Sequence, residues 1–246
     1  MAGPLSALLS LVLPRECGGC GEPDTSWCDR CAGVVARADP RPWAPTPPPP
    51  GFPPTLSALP YAGPVRRALA ALKDGGRHDL APRLAPALEA ALTPLVELAL
   101  RGSEEVWVVP VPSAPSAVRR RGERPTERLA GLALAGGSPV PAGRCRVVRA
   151  LRQGRATADQ AGLGAADRAA NLRGAMVVPP RHARQLRGVG CVVVDDVVTT
   201  GATLAEAVRA LRRAGSGPVL AATLAATLRR FPGSRHTTSG WSGTGP

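Results

Sequence analysis

At 246 residues, 44% of them apolar and with a mean hydropathy of −0.01, the chain can bury one good core and carry a small appendage. Its net charge of +13 comes from 31 basic residues, all arginine but for Lys73, against 18 acidic ones, which favours anionic partners. A Walker-type nucleotide site is excluded, because no G-x-x-x-x-G-K-[ST] occurs, and aromatics at 3% are too sparse to interleave with the arginines as a base-stacking platform.

Residues 1–38 read as an apolar helix followed by a metal module. Leu5, Leu8, Leu9 and Val12 fall at helical spacing, and the stretch from Leu5 to Leu13 is too short to span a bilayer. No basic segment precedes it and Pro14-Arg15-Glu16 follows in place of a small-residue cleavage site, so a cytoplasmic location is expected. Cys17-x2-Cys20-x7-Cys28-x2-Cys31 supplies two C-x2-C knuckles whose four thiolates can close a tetrahedral, structural Zn2+ site. Cys145 and Cys191 stand alone and read as small core residues.

Residues 39–56 hold Pro45, four consecutive prolines from Pro47, and Pro53-Pro54, the composition of a semi-rigid extended linker. Beyond it, residues 57–228 alternate between helical and strand periods. Gly63–Gly75 and His78–Leu100 predict helices, Val106–Val111 a strand, Pro112–Pro115 a turn and Thr126–Ala135 a helix. Arg146–Leu151 and Ala175–Val178 suit short strands, and Val219–Thr223 a last one. Alternating strands and helices imply an α/β fold, an open parallel sheet with helices on both faces. Residues 229–246 have no apolar period and read as a disordered basic tail.

The most informative stretch is Cys191-Val192-Val193-Val194-Asp195-Asp196-Val197-Val198-Thr199-Thr200-Gly201-Ala202-Thr203. It predicts an apolar strand ending in two carboxylates, a hydroxyl-and-glycine loop, and a helix from about Ala202 to Arg213. In an open α/β sheet, ligands bind where such a strand end meets a helix N-terminus, and the free N–H groups there attract an anion. Thr199, Thr200 and Thr203 add hydroxyl donors, and Gly201 lets the backbone approach closely. The upstream acids cannot hold that anion; they suit neutral hydroxyls or a divalent cation carried by the ligand. One phosphate beside vicinal hydroxyls describes a ribose 5-phosphate.

This run resembles the 5-phosphoribosyl 1-pyrophosphate (PRPP) signature of type I phosphoribosyltransferases. The resemblance implies the type I phosphoribosyltransferase fold, to which the four-Cys module adds a small N-terminal zinc ribbon. It also implies that Asp195 and Asp196 contact the ribose hydroxyls, while Thr199, Thr200, Gly201, Ala202 and Thr203 cradle the 5-phosphate, with Mg2+ accompanying PRPP. Pyrophosphate would be met by the loop after the strand at Val108–Ser113, followed by Arg119, Arg121 and Arg124. The segment carrying Arg152, Thr157 and Gln160, punctuated by Gly154, Gly162 and Gly164, reads as a lid over the strand ends.

The four-Cys module, Tyr61-Ala62-Gly63-Pro64 with Leu72-Lys73, Val111-Pro112 leading to Arg121-Gly122, and the spacing of Arg152, Thr157, Gln160, Arg168 and Asn171 together resemble the ComF (ComF/GntX) family. That resemblance implies a link to DNA uptake in competence, with single-stranded DNA and a competence helicase as partners. Two segments depart from the family's pattern: Asp74 stands where an aromatic is usual, and Glu123-Arg124 where Phe-Asn is usual. A phosphoribosyltransferase, a DNA-handling protein using the zinc ribbon and arginine-rich surface, and a PRPP sensor without turnover all fit these residues. None of them marks a general base or an acceptor pocket.

Overall fold

A computed structural model of the chain describes residues 16–113, 118–119, 122–136, 143–154 and 174–227. The helix expected at Leu5–Leu13, the lid positions Thr157, Gln160, Arg168 and Asn171, Arg121 and the tail from Arg229 lie outside the described residues.

The strands are β1 (Arg41–Pro42), β2 (Thr55–Pro60), β3 (Val106–Pro110), β4 (Cys145–Val147), β5 (Arg152–Gln153), β6 (Met176–Val177), β7 (Gly190–Val198) and β8 (Val219–Ala226). The helices are α1 (Asp29–Ala36), α2 (Gly63–Asp74), α3 (Ala81–Leu100), α4 (Pro125–Ala135), α5 (Pro180–Gln185) and α6 (Ala202–Arg213). Six strands form one sheet in the order β1-β2-β8-β7-β3-β4, parallel throughout except for β1, while β5 and β6 make a small antiparallel pair.

A strand covered on both faces needs apolar side chains at every position, and β7 shows why its run of valines is continuous. Val192 and Val194 pack with α2, α3 and α4 on one face, whereas Cys191 and Val193 pack with α6 on the other. Trp107 of β3 lies fully buried on the α6 face, its Nε1 donating to Glu105 Oε1 at 2.9 Å and the Arg146 guanidinium stacked 5.1 Å from its ring. Cys191 belongs to that same core, as expected.

The α/β fold, the parallel sheet, and the strand, loop and helix of the Cys191–Thr203 region all appear. Four expected elements differ in extent. The helix from His78 begins as a short 3-10 turn, His78–Leu80, because Pro82 in the first turn of α3 favours a helix start there. The strands expected at Arg146–Leu151 and Ala175–Val178 shrink to Cys145–Val147 and Met176–Val177, and the last strand extends to Ala226. β1, β2, β5, α1 and α5 were not anticipated: β1, β2 and α5 lie among prolines, which mask a strand period and delay a helix signal, α1 begins inside the cysteine module, and Arg152, read as part of a lid loop, pairs in β5. No described helix is long and apolar enough to cross a membrane.

The proline-rich stretch lies against the body. Trp43 N–H donates to the Thr55 carbonyl at 3.0 Å, Trp43 Nε1 to the Thr227 carbonyl at 3.3 Å, and Ala221 N–H to the Pro54 carbonyl at 2.9 Å. The cysteine module also docks directly. Arg77 donates to the carbonyls of Glu16 and Ser26, Arg67 to that of Cys20, and a Cβ on Gly18 would sit 2.6 Å from the fully buried Leu80.

Glu206 of α6 is buried and secures β6 to the main sheet's layer. It accepts the Met176 N–H at 2.8 Å and pairs with Arg209, which in turn donates to the Met176 carbonyl. Replacing Glu206 with Ala strands a buried donor, so Glu206→Ala is expected to cost about 2 kcal/mol, read as a lower midpoint in urea unfolding.

Candidate functional site

The strand order reverses between β3 and β7, since β4 follows β3 on one side and β7 lies on the other. The carboxyl ends of two such strands diverge and leave a crevice, the usual ligand position in open α/β sheets. Val111 N–H, at the exit of β3, donates to the Val194 carbonyl at 2.9 Å, so the loop after β3 leaves beside Asp195.

β7 runs on through both acids to Val198, and the chain turns through Thr199 and Thr200 into α6. Gly201 caps the helix with φ of 74°, a left-handed conformation that strains any residue with a Cβ. A Cβ there would also stand 2.6 Å from the Phe52 ring and 3.2 Å from Pro45, so the proline-rich stretch rests on this loop. Thr199 is exposed, and Thr200 and Thr203 are half-buried, at the end where the helix leaves N–H groups without intrahelical partners.

The two acids differ in environment. Asp196, 6% exposed, places Oδ1 2.7 Å from Lys73 Nζ and accepts Thr126 Oγ1 on Oδ2 at 3.3 Å. Asp195 Oδ1 accepts the Asp196 N–H at 2.9 Å. Burial, reinforced by the neighbouring Asp196 carboxylate, pushes Asp195 up to about 8, although Lys73 works in the opposite direction. Burial also opposes the Lys73 charge, but Asp196, then Asp195 and Tyr61, outweigh it and hold the ammonium above its usual range. One cation thus serves two carboxyls, and burial favours a proton on the second.

Beside the acids, a cavity of about 490 Å3 opens at the ends of β3 and β4. It brings together Ser113, Arg119, Arg124 and Arg152, four residues singled out in the sequence, with Arg149 and Arg181. Arg149 is paired with Glu127, whose carboxylate also lines the cavity. Five guanidiniums around one cavity suit a multiply charged anion. The acids and the Thr199–Thr203 loop do not line it; they adjoin it through the first turn of α4, where Thr126 touches Asp196 while Arg124 and Glu127 face the cavity.

The sequence reading missed Lys73, Thr126 and Phe52 as members of the site. Only Lys73 left a signal: a single lysine in a chain that uses arginine everywhere else marks a place for a compact ammonium.

In the module docked on α2 and the His78–Leu80 turn, the sulfurs of Cys17, Cys20, Cys28 and Cys31 lie within 4.8 Å of one another, with Cys17–Cys28 at 3.7 Å and Cys20–Cys28 at 3.5 Å. Four sulfurs at Zn–S distances of about 2.3 Å stand about 3.8 Å apart, so the cluster could hold a zinc ion with no open coordination position. Burial resists ionisation of Cys17, but N–H groups of Cys28, Cys20 and Gly19 outweigh it and bring the thiol down to about 6. Arg30 lowers Cys20 in the same direction.

The fold and crevice are those of an open α/β protein with a four-cysteine cluster that could hold a metal ion. The family described as phosphoribosyl transferase domain matches residues 145–236, from β4 through the acid pair, the threonine loop, α6 and β8. The chain is similar to that domain over this span. Comparison with curated proteins finds no match.

Two outcomes check this geometry. Metal analysis of the purified protein should give one zinc per chain, lost in Cys31→Ser together with a fall in melting temperature. Asp195 is protonated in folded and unfolded chains alike below about pH 4, so its contribution to stability is complete there. As pH rises towards 8 the unfolded chain ionises freely while the folded one resists, and stability falls. Asp195→Asn removes that loss and should raise the melting temperature of the ligand-free protein by ~2–4 °C at pH 8, with no gain at pH 4.

Proposed function

We propose that this protein binds PRPP with Mg2+ and works as a phosphoribosyltransferase-type protein of the ComF family. One observation carries the reading: the hydroxyl-and-glycine loop at a helix N-terminus, the acid pair upstream of it and an arginine-lined cavity adjoin one switch point. These three environments match the three parts of PRPP.

The hydroxyls of Thr199, Thr200 and Thr203 and the N–H groups around Gly201 and Ala202 hold the 5-phosphate, aided by the helix dipole. Asp195 and Asp196 accept the ribose 2- and 3-hydroxyls. With Lys73 and Thr126 already engaging both oxygens of Asp196, the pair has too few free oxygens to cage a cation of its own. It suits a cation that arrives on the ligand's phosphates. An Mg2+ ion carried there by the ligand would neutralise charge on the departing pyrophosphate. Ser113, Arg119, Arg124 and Arg152, joined by Arg149 and Arg181, receive that pyrophosphate and stabilise the charge that develops as it leaves. Lys73 orients one oxygen of Asp196, and Thr126 fixes the other. The ComF resemblance gives this chemistry a setting in DNA uptake during natural transformation.

Calorimetric titration with PRPP and Mg2+ tests the reading. Wild-type protein should bind, and Asp196→Asn should weaken binding at least tenfold, about 1.4 kcal/mol. Wild-type protein that does not bind PRPP would overturn it. Pyrophosphate release in the presence of nucleobases or amines then separates a transferase from a sensor.

A further inference from the structure

Three polar side chains stand in one row across the sheet. Ser57 of β2 pairs in register with Thr223 of β8, and Thr223 with Asp195 of β7. Neighbouring strands lie about 4.8 Å apart and residues in register share a face, so the three side chains are immediate neighbours. Their face is the one that α6 covers, because Val193 and Ala221, two positions back in β7 and β8, pack there with Leu204, Ala207 and Val208. Asp196 points the other way, to Lys73 and Thr126.

The two hydroxyls break an ordinary packing rule. Thr223 is 0% exposed and Ser57 7%, and neither hydroxyl has a hydrogen-bond partner among the described residues. Burying such a group unpaired is costly, and valine or alanine would fill the same space without that cost. Thr55, one pair earlier on the same face, shows the usual solution: its hydroxyl donates to the Pro53 carbonyl at 2.8 Å. Thr223 is also the one polar residue of β8, whose other positions are valine, leucine and alanine. Of the row, only Asp195 is partly open to solvent. The charges around it are the Asp196 carboxylate and the Lys73 ammonium, with Tyr61 near Lys73, and the first turn of α6 adds no acid. Arg41, opposite Ser57 in β1, is paired with Asp39 at the exposed edge. Lys73 is engaged by Asp196, so an ionised Asp195 depends on neutral donors, and each one that it gains eases ionisation.

We propose that Thr223 is a positioning residue for Asp195: its hydroxyl turns to donate to the Asp195 carboxylate when that group ionises to receive a ligand, and the Ser57 hydroxyl donates in turn to Thr223 Oγ1. The proposal rests on the PRPP reading, in which Asp195 accepts a ribose hydroxyl. An ionised carboxylate is the stronger acceptor, and the proton it gives up leaves to solvent through the crevice. The Asp196 N–H already donates to Asp195 Oδ1, so Thr223 adds a second donor from within the protein and the ligand a third. Two hydroxyls unpaired in the free protein thus become a chain of donors aimed at one carboxylate.

Thr223→Val keeps the shape and removes the donor, whereas Thr223→Ser keeps the donor. In the ligand-free protein at pH 5, Thr223→Val should melt about 2 °C higher than wild type, since an unpaired buried hydroxyl is gone. Followed by carbon-13 NMR in the same protein, the Asp195 carboxyl should titrate at higher pH in Thr223→Val, its proton held at least about threefold more tightly, and return to the wild-type position in Thr223→Ser. Ser57→Ala, one step removed, should give a smaller shift in the same direction. PRPP with Mg2+ should bind Thr223→Val about fivefold more weakly at pH 7, the deficit shrinking as the pH rises towards 9. An Asp195 titration that Thr223→Val leaves in place overturns the proposal. So does a Thr223→Val protein that melts below wild type, as loss of a merely structural hydroxyl would cause, or a Thr223→Ser protein as impaired as Thr223→Val. If wild-type protein fails to bind PRPP, the donor reading falls, while the titration of the free protein still decides whether the hydroxyls serve Asp195.

Discussion

Two adjacent carboxylates at the end of a buried strand are the constraint around which the site is organised. Ionised together in a poorly solvated place they would repel each other strongly, so the fold must supply positive charge, donors or a proton. It supplies all three: Lys73 from the end of α2, Thr126 from the start of α4, and the proton that burial keeps on Asp195. The packing of α2 and α4 on the same face of the sheet brings the two partners to Asp196 from elements far apart in sequence. A ligand that presents hydroxyls and a cation here completes a charge balance that the protein alone meets by protonation.

Charge is also sorted across the crevice. Arginines gather at the ends of β3 and β4, carboxylates and a histidine gather beyond the first turn of α4, and the acid pair sits between. A net charge of +13 says nothing about such sorting, because it is a sum over the whole chain. The sorting depends on which side of one helical turn each residue faces, and Glu123, Arg124, Pro125, Thr126 and Glu127 alternate between sides within five positions.

That contrast explains how far the residues could be read without coordinates. The strand and helix around Asp195–Thr203 were legible because an unbroken apolar run, a glycine and a helical period follow one another in a short span, all local signals. The cysteine cluster was legible for the same reason. Lys73 and Thr126 were not, because their role depends on two helices meeting β7 through tertiary packing, which leaves no local pattern. β2 was hidden by its prolines, although Thr55, Ser57 and Leu59 are buried as a sheet strand requires. Of the arginines singled out, Arg119, Arg124 and Arg152 come together only because the ends of β3, β4 and β5 do.

The way residues 41–60 join the sheet bears on how this molecule divides. β2 forms a full parallel ladder with β8, β1 covers the free side of β2, and Phe52 rests on Gly201. A cut in the proline-rich stretch would therefore pass through the sheet and its phosphate-side loop, with no neutral joint to receive it. Starting the chain after Leu59 would leave β8 as a long apolar edge strand, open to pairing with other molecules. For this protein, the smallest piece that keeps its sheet whole begins on the N-terminal side of Arg41, next to the cysteine module.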